Sequence, residues 1–133
     1  PDNLFISENG VIKLGDFGLA EQLEHSCSKR GGACGSLKYM APEVYEEEAC
    51  LKSDVWALGM SIIEMAEGKH PFAGCTSAQI MNRVLNRPPP SLSGSGWSSD
   101  LVDFVGACLV KDVNERASVE ALLKVGVSTC DND

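Results

Sequence analysis

Asp16, Phe17 and Gly18 stand directly after a short apolar run, Val11 to Leu14, and Asn3 stands thirteen residues before Asp16, just ahead of another such run, Leu4 to Ile6. A D-F-G triplet at the end of a strand is the context in which a carboxylate is presented to magnesium at the mouth of a phosphate site. The side-chain carbonyl of Asn3 is a second hard oxygen donor of the kind such a cation takes. Ala41, Pro42 and Glu43 form an A-P-E triplet that closes the irregular stretch opened by Asp16. The three signals agree in order, spacing and local pattern. The chemistry they suit is phosphoryl transfer, which asks for positioning and charge neutralisation more than for covalent help. Singly, each residue has a plainer reading, Asn3 as a cap or turn residue and Asp16 as a turn-forming acid before Phe17.

The elements that must position these groups follow from pattern. Leu4–Ile6 and Val11–Leu14 are β-rich runs separated by Ser7, Glu8, Asn9 and Gly10, and Asn-Gly between such runs signals a hairpin. Residues 16–35 are small, polar and aperiodic, a loop long enough to expect a functional role. Pro42 suits a first helical position, with Glu43, Glu46, Glu47 and Glu48 complementing a short helix dipole. Ser53 reads as the N-cap of a helix carrying Val55, Trp56, Leu58, Met60, Ile62, Ile63 and Met65 and ending at Gly68, with Pro71 beyond. With almost no polar face, this helix is expected to be buried nearly all round, as the post of an α-rich domain. Thr76 and Gln79 make a capping box before a helix with Ile80, Val84 and Leu85 on one face. Residues 87–96 are a Pro, Ser and Gly loop. Ser98 or Ser99 opens a helix bearing Leu101, Val105, Cys108 and Leu109, and Ser118 opens a last one with Val119, Leu122 and Leu123 before Gly126. The fold class expected is α+β, mainly α: one β-hairpin, then about five helices around a buried central one. A single domain over 1–127 leaves 128–133 as a polar, frayed tail.

Composition narrows the partners. The chain has 133 residues, 11 Lys and Arg against 19 Asp and Glu, a formal charge of −8, and 44% hydrophobic with 23% charged residues. That is ordinary for a globular domain and speaks against a basic nucleic-acid binder. Charged residues and glycines interrupt the apolar stretches before the ~18 residues a bilayer crossing needs, so no membrane partner is expected and the chain reads as soluble and intracellular. The six cysteines, at 27, 34, 50, 75, 108 and 130, include no CxxC pair, and several fall in helix-like segments; free thiols are expected. His25 and His70 lack a second imidazole at ligand spacing and read as solvated loop residues. The first residue is Pro1, not Met, so the sequence reads as a piece of something longer or a processed product.

On these residues the chain resembles the protein kinase family over essentially its whole length, from the end of the catalytic loop to the last helices. Pro1, Asp2 and Asn3 resemble the end of an H-R-D-L-K-P-x-N loop; Asp16–Gly18 and Ala41–Glu43 resemble the two ends of the activation segment; Asp54, Trp56 and Gly59 resemble the D-V-W-x-x-G signature of the central helix. The resemblance implies a large, C-terminal lobe. It also implies ATP and Mg2+ as cofactors, with Asp16 on the bridging metal and Asn3 on the second. Phe5 would pack under the adenine ring and Phe17 would be the switch element of D-F-G. Ser36 would hydrogen-bond the catalytic aspartate and help hold a Ser or Thr acceptor. Asp54 would bond the catalytic-loop backbone, Glu64 would receive a basic substrate side chain, and Arg116 would pair with Glu43. Ser36 and Pro1, at positions where tyrosine kinases differ, imply serine/threonine specificity with dual specificity open, and the resemblance is greatest to kinases of the MAP-kinase cascade and their sterile-like relatives. Protein substrates are implied, as is an upstream kinase acting on Ser26 or Ser28, in the cytoplasm with the nucleus open.

There are departures from the family pattern. Gly32 stands four residues before Ser36, where many relatives carry the activating threonine, Cys34 is a neighbouring thiol, and Ala117 replaces a common proline after Arg116. The general-base aspartate and the phosphate-contacting lysine would fall before residue 1, and the glycine-rich loop, the strand lysine and its glutamate are not among these residues. The 133 residues alone are therefore expected neither to bind ATP tightly nor to turn over. Two functions stay open: a serine/threonine kinase of which this is the larger-lobe fragment, or a pseudokinase or scaffold lobe that binds partners without catalysis.

Overall fold

The computed structural model describes residues 1–18, 20, 27–29, 36–46 and 48–125. Gly10, at φ 76°, takes the left-handed conformation the turn requires, and the turn is closed by bonds from Gly10 N–H to Ser7 O and from Ser7 N–H to Val11 O, both 2.9 Å. It joins β1 (Leu4–Ile6) and β2 (Ile12–Leu14) in the expected antiparallel hairpin, with Leu4 opposite Leu14 and Phe5 opposite Lys13. A second antiparallel pair lies outside the sequence expectation: β3 (Cys27–Lys29) and β4 (Glu48–Cys50), with Cys27 opposite Cys50. Runs of three residues with this composition carry no alternation to read.

The helices follow their caps. A 3-10 turn over Leu37–Tyr39 leads into α1 (Pro42–Tyr45), where Pro42 opens the helix as expected. Glu46 and Glu48 do not serve its dipole, because the helix stops at Tyr45 and Glu48 is already on β4; Glu47 lies outside the described residues. In α2 (Ser53–Glu67) the N-cap is Lys52, not Ser53. The Ser53 hydroxyl is spent elsewhere, accepting from Cys50 N–H at 3.0 Å and donating to Glu43 at 2.8 Å. Gly68 ends α2 at φ 67°. The capping box of Thr76 and Gln79 opens α3 (Ser77–Asn86), Ser98 caps α4 (Ser99–Cys108), and α5 (Val119–Val125) closes the described chain. These are five α-helices among the described residues, and none is long and apolar enough to cross a membrane. The tail expected from 128 on lies outside them.

Trp56, Met60 and Ile63 of α2 form the core with Ile80 and Val84 of α3, Val105, Cys108 and Leu109 at the end of α4, and Leu122 of α5. Burying an aliphatic side chain of this size fully contributes about 1.5–3 kcal/mol. The post is not covered all round, however. Met65 is 51% exposed and Leu58 is exposed too, whereas α4, the 3-10 turn and β4 pack on α2 elsewhere. His70, expected in solvent, is buried and accepts a hydrogen bond on Nδ1 from Phe72 N–H at 3.0 Å. His25 lies outside the described residues. Cys50, Cys75 and Cys108 are free thiols, as expected, though of these only Cys108 is in a helix.

Gly59 lets α2 and α4 approach: a Cβ there would stand 2.8 Å from both Cys108 Cβ and Leu109 Cγ. Gly59→Ala is expected to lower stability by about 1–3 kcal/mol, the usual cost of overpacking a filled core. Urea unfolding monitored by Trp fluorescence checks this; an unchanged midpoint would mean that the two helices separate freely.

Candidate active site and its buried support

The hairpin register brings the two sequence-predicted oxygen donors to one end. Beyond the Leu4–Leu14 pair, Gly15 N–H donates to Asn3 O at 2.9 Å, so Asn3 lies beside the residue that precedes Asp16. Asp16 takes φ 58°, a left-handed conformation uncommon in a non-glycine residue and often associated with functional sites. Its Oδ1 accepts from Gly18 N–H at 3.3 Å, an Asx-type bond that holds the bend. Phe5 shares this end, since a Cβ at Gly15 would overlap the Phe5 ring. Asn3, Phe5, Asp16 and Phe17 are all exposed. No three His, Cys, Asp or Glu side chains gather into a metal cluster among the described residues. One carboxylate and one amide do not make an all-protein cage, but they suit Mg2+, which keeps waters and substrate phosphates as its other ligands.

Next to this end lies a second polar group. Tyr39 Oη donates to Glu64 Oε2 at 2.5 Å, and the Tyr39 ring meets His70 edge-on, centroids 4.9 Å apart at 83°. Burial raises the Tyr39 pKa, and the carboxylates of Glu64 and Asp2 raise it further, so the phenol remains a donor. Burial lowers the His70 pKa and the Lys38 charge adds to it, against the Glu64 carboxylate and the Lys38 backbone, which raise it. Because Nδ1 accepts, the His70 proton sits on Nε2, which is buried without a partner among the described residues.

The A-P-E glutamate is held by a buried ion pair. Arg116 is only 1% exposed, and its guanidinium grips Glu43 in a fork, Nη1 to Oε1 at 2.7 Å and Nη2 to Oε2 at 2.9 Å. Its other N–H groups donate to the carbonyls of Val110, Lys52 and Lys111 at 2.8, 2.8 and 3.4 Å. The guanidinium also stacks over Trp56 at 5.2 Å. Burial alone would raise the Glu43 pKa; hydrogen bonds from Arg116 and Ser53 and the Arg116 charge outweigh it and lower the value. Nearby, Ala117 N–H donates to Ala107 O at 3.3 Å, a bond a proline could not make.

A triplet carboxylate and an amide at one hairpin end, with an A-P-E glutamate forked by a distant arginine, have a counterpart in one family. The protein kinase domain matches residues 1–126. The chain belongs to the protein kinase family. Among curated relatives, this kinase chain is 39% identical over 125 residues to the serine/threonine-protein kinase hippo of Drosophila melanogaster, which covers 92% of the chain and 18% of that protein. It is 39% identical over 122 residues to the Drosophila neither inactivation nor afterpotential protein C, covering 86% of the chain and 8% of that protein. It is 38% identical over 123 residues to the serine/threonine-protein kinase pakH of Dictyostelium discoideum, covering 91% and 24% respectively. The kinase chain thus spans a quarter or less of the length of these relatives.

Of the other residues singled out in the kinase sequence, Ser36 is exposed at the start of the 3-10 turn and makes no side-chain cap bond. Asp54 is exposed in the first turn of α2, and no hydrogen bond joins it to residues 1–3 among the described residues. Ser26, Gly32, Cys34 and the side chain of Ser28 lie outside the described residues. Tyr39, Ser53 and His70 were missed as parts of the site's surroundings, since their partners are set by the fold and not by any local pattern.

Two outcomes follow from the ion pair. Arg116→Ala leaves Glu43 buried without its counter-charge and is expected to cost about 3–5 kcal/mol, read from chemical denaturation. Because Glu43 has a lowered folded pKa, its contribution is present above the ordinary carboxylate value of 4.5 and is lost as pH falls through the lower folded value. Glu43→Gln should therefore flatten the acid limb of a stability–pH profile relative to wild type; parallel limbs would contradict it.

Proposed function

We propose that this chain is the large-lobe portion of a serine/threonine protein kinase, in which residues 1–127 transfer a phosphoryl group from ATP to protein Ser or Thr together with segments outside this sequence. The observation that carries the reading is the Gly15 N–H to Asn3 O bond, which sets the amide and the Asp16 carboxylate at one end of one hairpin. Asn3 and Asp16 would hold magnesium, and Phe5 would lie against the adenine. ATP would supply the phosphoryl group, and the magnesium held by these residues would neutralise charge on its phosphates. The chain's own residues position: the Asp16 bend aims a carboxylate, and the Glu43–Arg116 pair fixes the far end of the activation segment.

Substrate contacts are part of the same proposal. Ser36 would face the acceptor hydroxyl. Glu64 Oε2 is already taken by Tyr39, so a basic substrate side chain would use Oε1. Ser26 and Ser28 are proposed acceptors for an upstream kinase, and the cytoplasm is the proposed compartment. The names of the relatives support serine/threonine specificity.

In the full-length protein, Asp16→Asn is expected to cut phosphate transfer from radiolabelled ATP to a protein substrate by about 10²–10³, the scale for removing one preorganised charge stabiliser. The isolated 133-residue chain should show neither tight ATP binding by calorimetry nor turnover. A full-length wild type as inactive as its Asp16 variant would favour the scaffold reading instead, and robust transfer by the isolated chain would refute the division of labour proposed.

A further inference from the structure

β3 and β4 pair so that Cys27 and Cys50 are direct partners. Directly opposed residues of an antiparallel pair share a face of the sheet, with Cα atoms about 4.5 Å apart in a non-hydrogen-bonded pair and about 5.5 Å in a hydrogen-bonded one. Both separations fall within the ~4.4–6.8 Å that a disulfide spans. The backbone register thus sets two cysteines opposite one another, although 22 residues lie between them in sequence. Cys50 is free and buried, its Sγ 3.8 Å from Glu43 Oε1 and 3.6 Å from Ser53 Oγ. It therefore touches the carboxylate that Arg116 grips. β3 lies between the D-F-G and A-P-E triplets, whereas β4 follows A-P-E.

We propose that Cys27 and Cys50 form a reversible disulfide under peroxide, a covalent tie between the activation segment and the strand beside Glu43. Hydrogen peroxide is the oxidant. One thiolate attacks a peroxide oxygen, the O–O bond breaks, and a sulfenic acid and hydroxide form. The sulfur of the second thiol then attacks the sulfenic sulfur, the S–O bond breaks, and water leaves carrying the thiol proton. In sum, two thiols and one peroxide, with the hydroxide taking up the proton released on forming the first thiolate, give one disulfide and two waters. Bridging removes the Cys50 S–H donor that faces Glu43, so the redox state of this pair acts on the carboxylate that Arg116 grips. Reduction by a dithiol restores both thiols.

The test treats the purified protein with hydrogen peroxide, quenches free thiols with N-ethylmaleimide, and maps tryptic peptides without reduction. Cleavage after Lys13, Lys29, Arg30, Lys38 and Lys52 puts Cys27, Cys34 and Cys50 on three different peptides, 14–29, 31–38 and 39–52. The expected result is a 14–29/39–52 linkage exceeding either Cys34 linkage by at least about tenfold, as register raises the effective concentration of one pair. That preference should disappear when the protein is oxidised in urea. Cys27→Ser should lose the linkage and Cys34→Ser keep it. Dominant linkage through Cys34, sulfonic acids without linkage, equal preference in native and unfolded protein, or linkage between isotopically heavy and light chains in a mixture would each overturn the proposal.

Discussion

Arg116 is a charge inside a core, and the rest of the structure is arranged around satisfying it. A guanidinium carries five N–H donors, and here its nitrogens meet both oxygens of Glu43 and the carbonyls of Lys52, Val110 and Lys111, with Trp56 under the cation. Such a pair adds little net stability over a well-packed apolar replacement, because removing both charges from water costs nearly what their attraction returns. Its consequence is geometric. The bidentate fork accepts one orientation of the carboxylate, so the A-P-E segment, the start of α2 and the loop that ends at Arg116 have one relative placement. Ser53 leaves its capping role because its hydroxyl completes the same network, a tertiary demand that outweighs about 1 kcal/mol of local cap preference.

The donors of the site rest on a different kind of support. The hairpin carries Phe5, Ile6, Ile12 and Leu14 with more than half of each exposed, and two strands alone are marginally stable in water. The helical core is thus the firm part and the Asn3–Asp16 end the soft part. A ligand that binds only the formed hairpin would stabilise it by mass action. Positioning of the two oxygens and binding of the cation proposed for them would then be coupled events.

How far this was legible in the sequence depends on whether each feature is local. The capping box at Thr76, the stop at Gly68, Pro42 at a first helical position and the Asn-Gly turn are all written within four residues, and the structure has each of them. The spacing of Asn3 and Asp16 was readable because a short hairpin makes sequence distance and space agree. The Glu43–Arg116 pair, 73 residues apart, was reachable only through the family resemblance, and Tyr39–Glu64, 25 apart, was not foreseen. β3 and β4 escaped because, unlike the apolar runs joined by Asn-Gly in β1 and β2, they are short polar runs far apart in sequence, and His70 because burial of a loop imidazole depends on what Tyr39 and Phe72 do around it. The exposure of Leu58 and Met65 marks the limit of reading burial from hydrophobicity: an all-apolar helix announces that it wants cover, not that the residues in hand supply it.

The two ends of the activation segment are therefore fixed by unlike means. Asp16 is held by a backbone register and a left-handed bend, Glu43 by a desolvated fork. Closing a chain between two fixed points costs only about 0.6 kcal/mol more for each doubling of its length. The length and composition of the stretch between D-F-G and A-P-E are in consequence weakly constrained by stability, whereas the anchors are strongly constrained. The sequence carries Gly32 where many relatives have an acceptor threonine, while the Asn3–Gly15 register, the Asp16 bend and the Glu43–Arg116 fork are each held by residues outside that stretch.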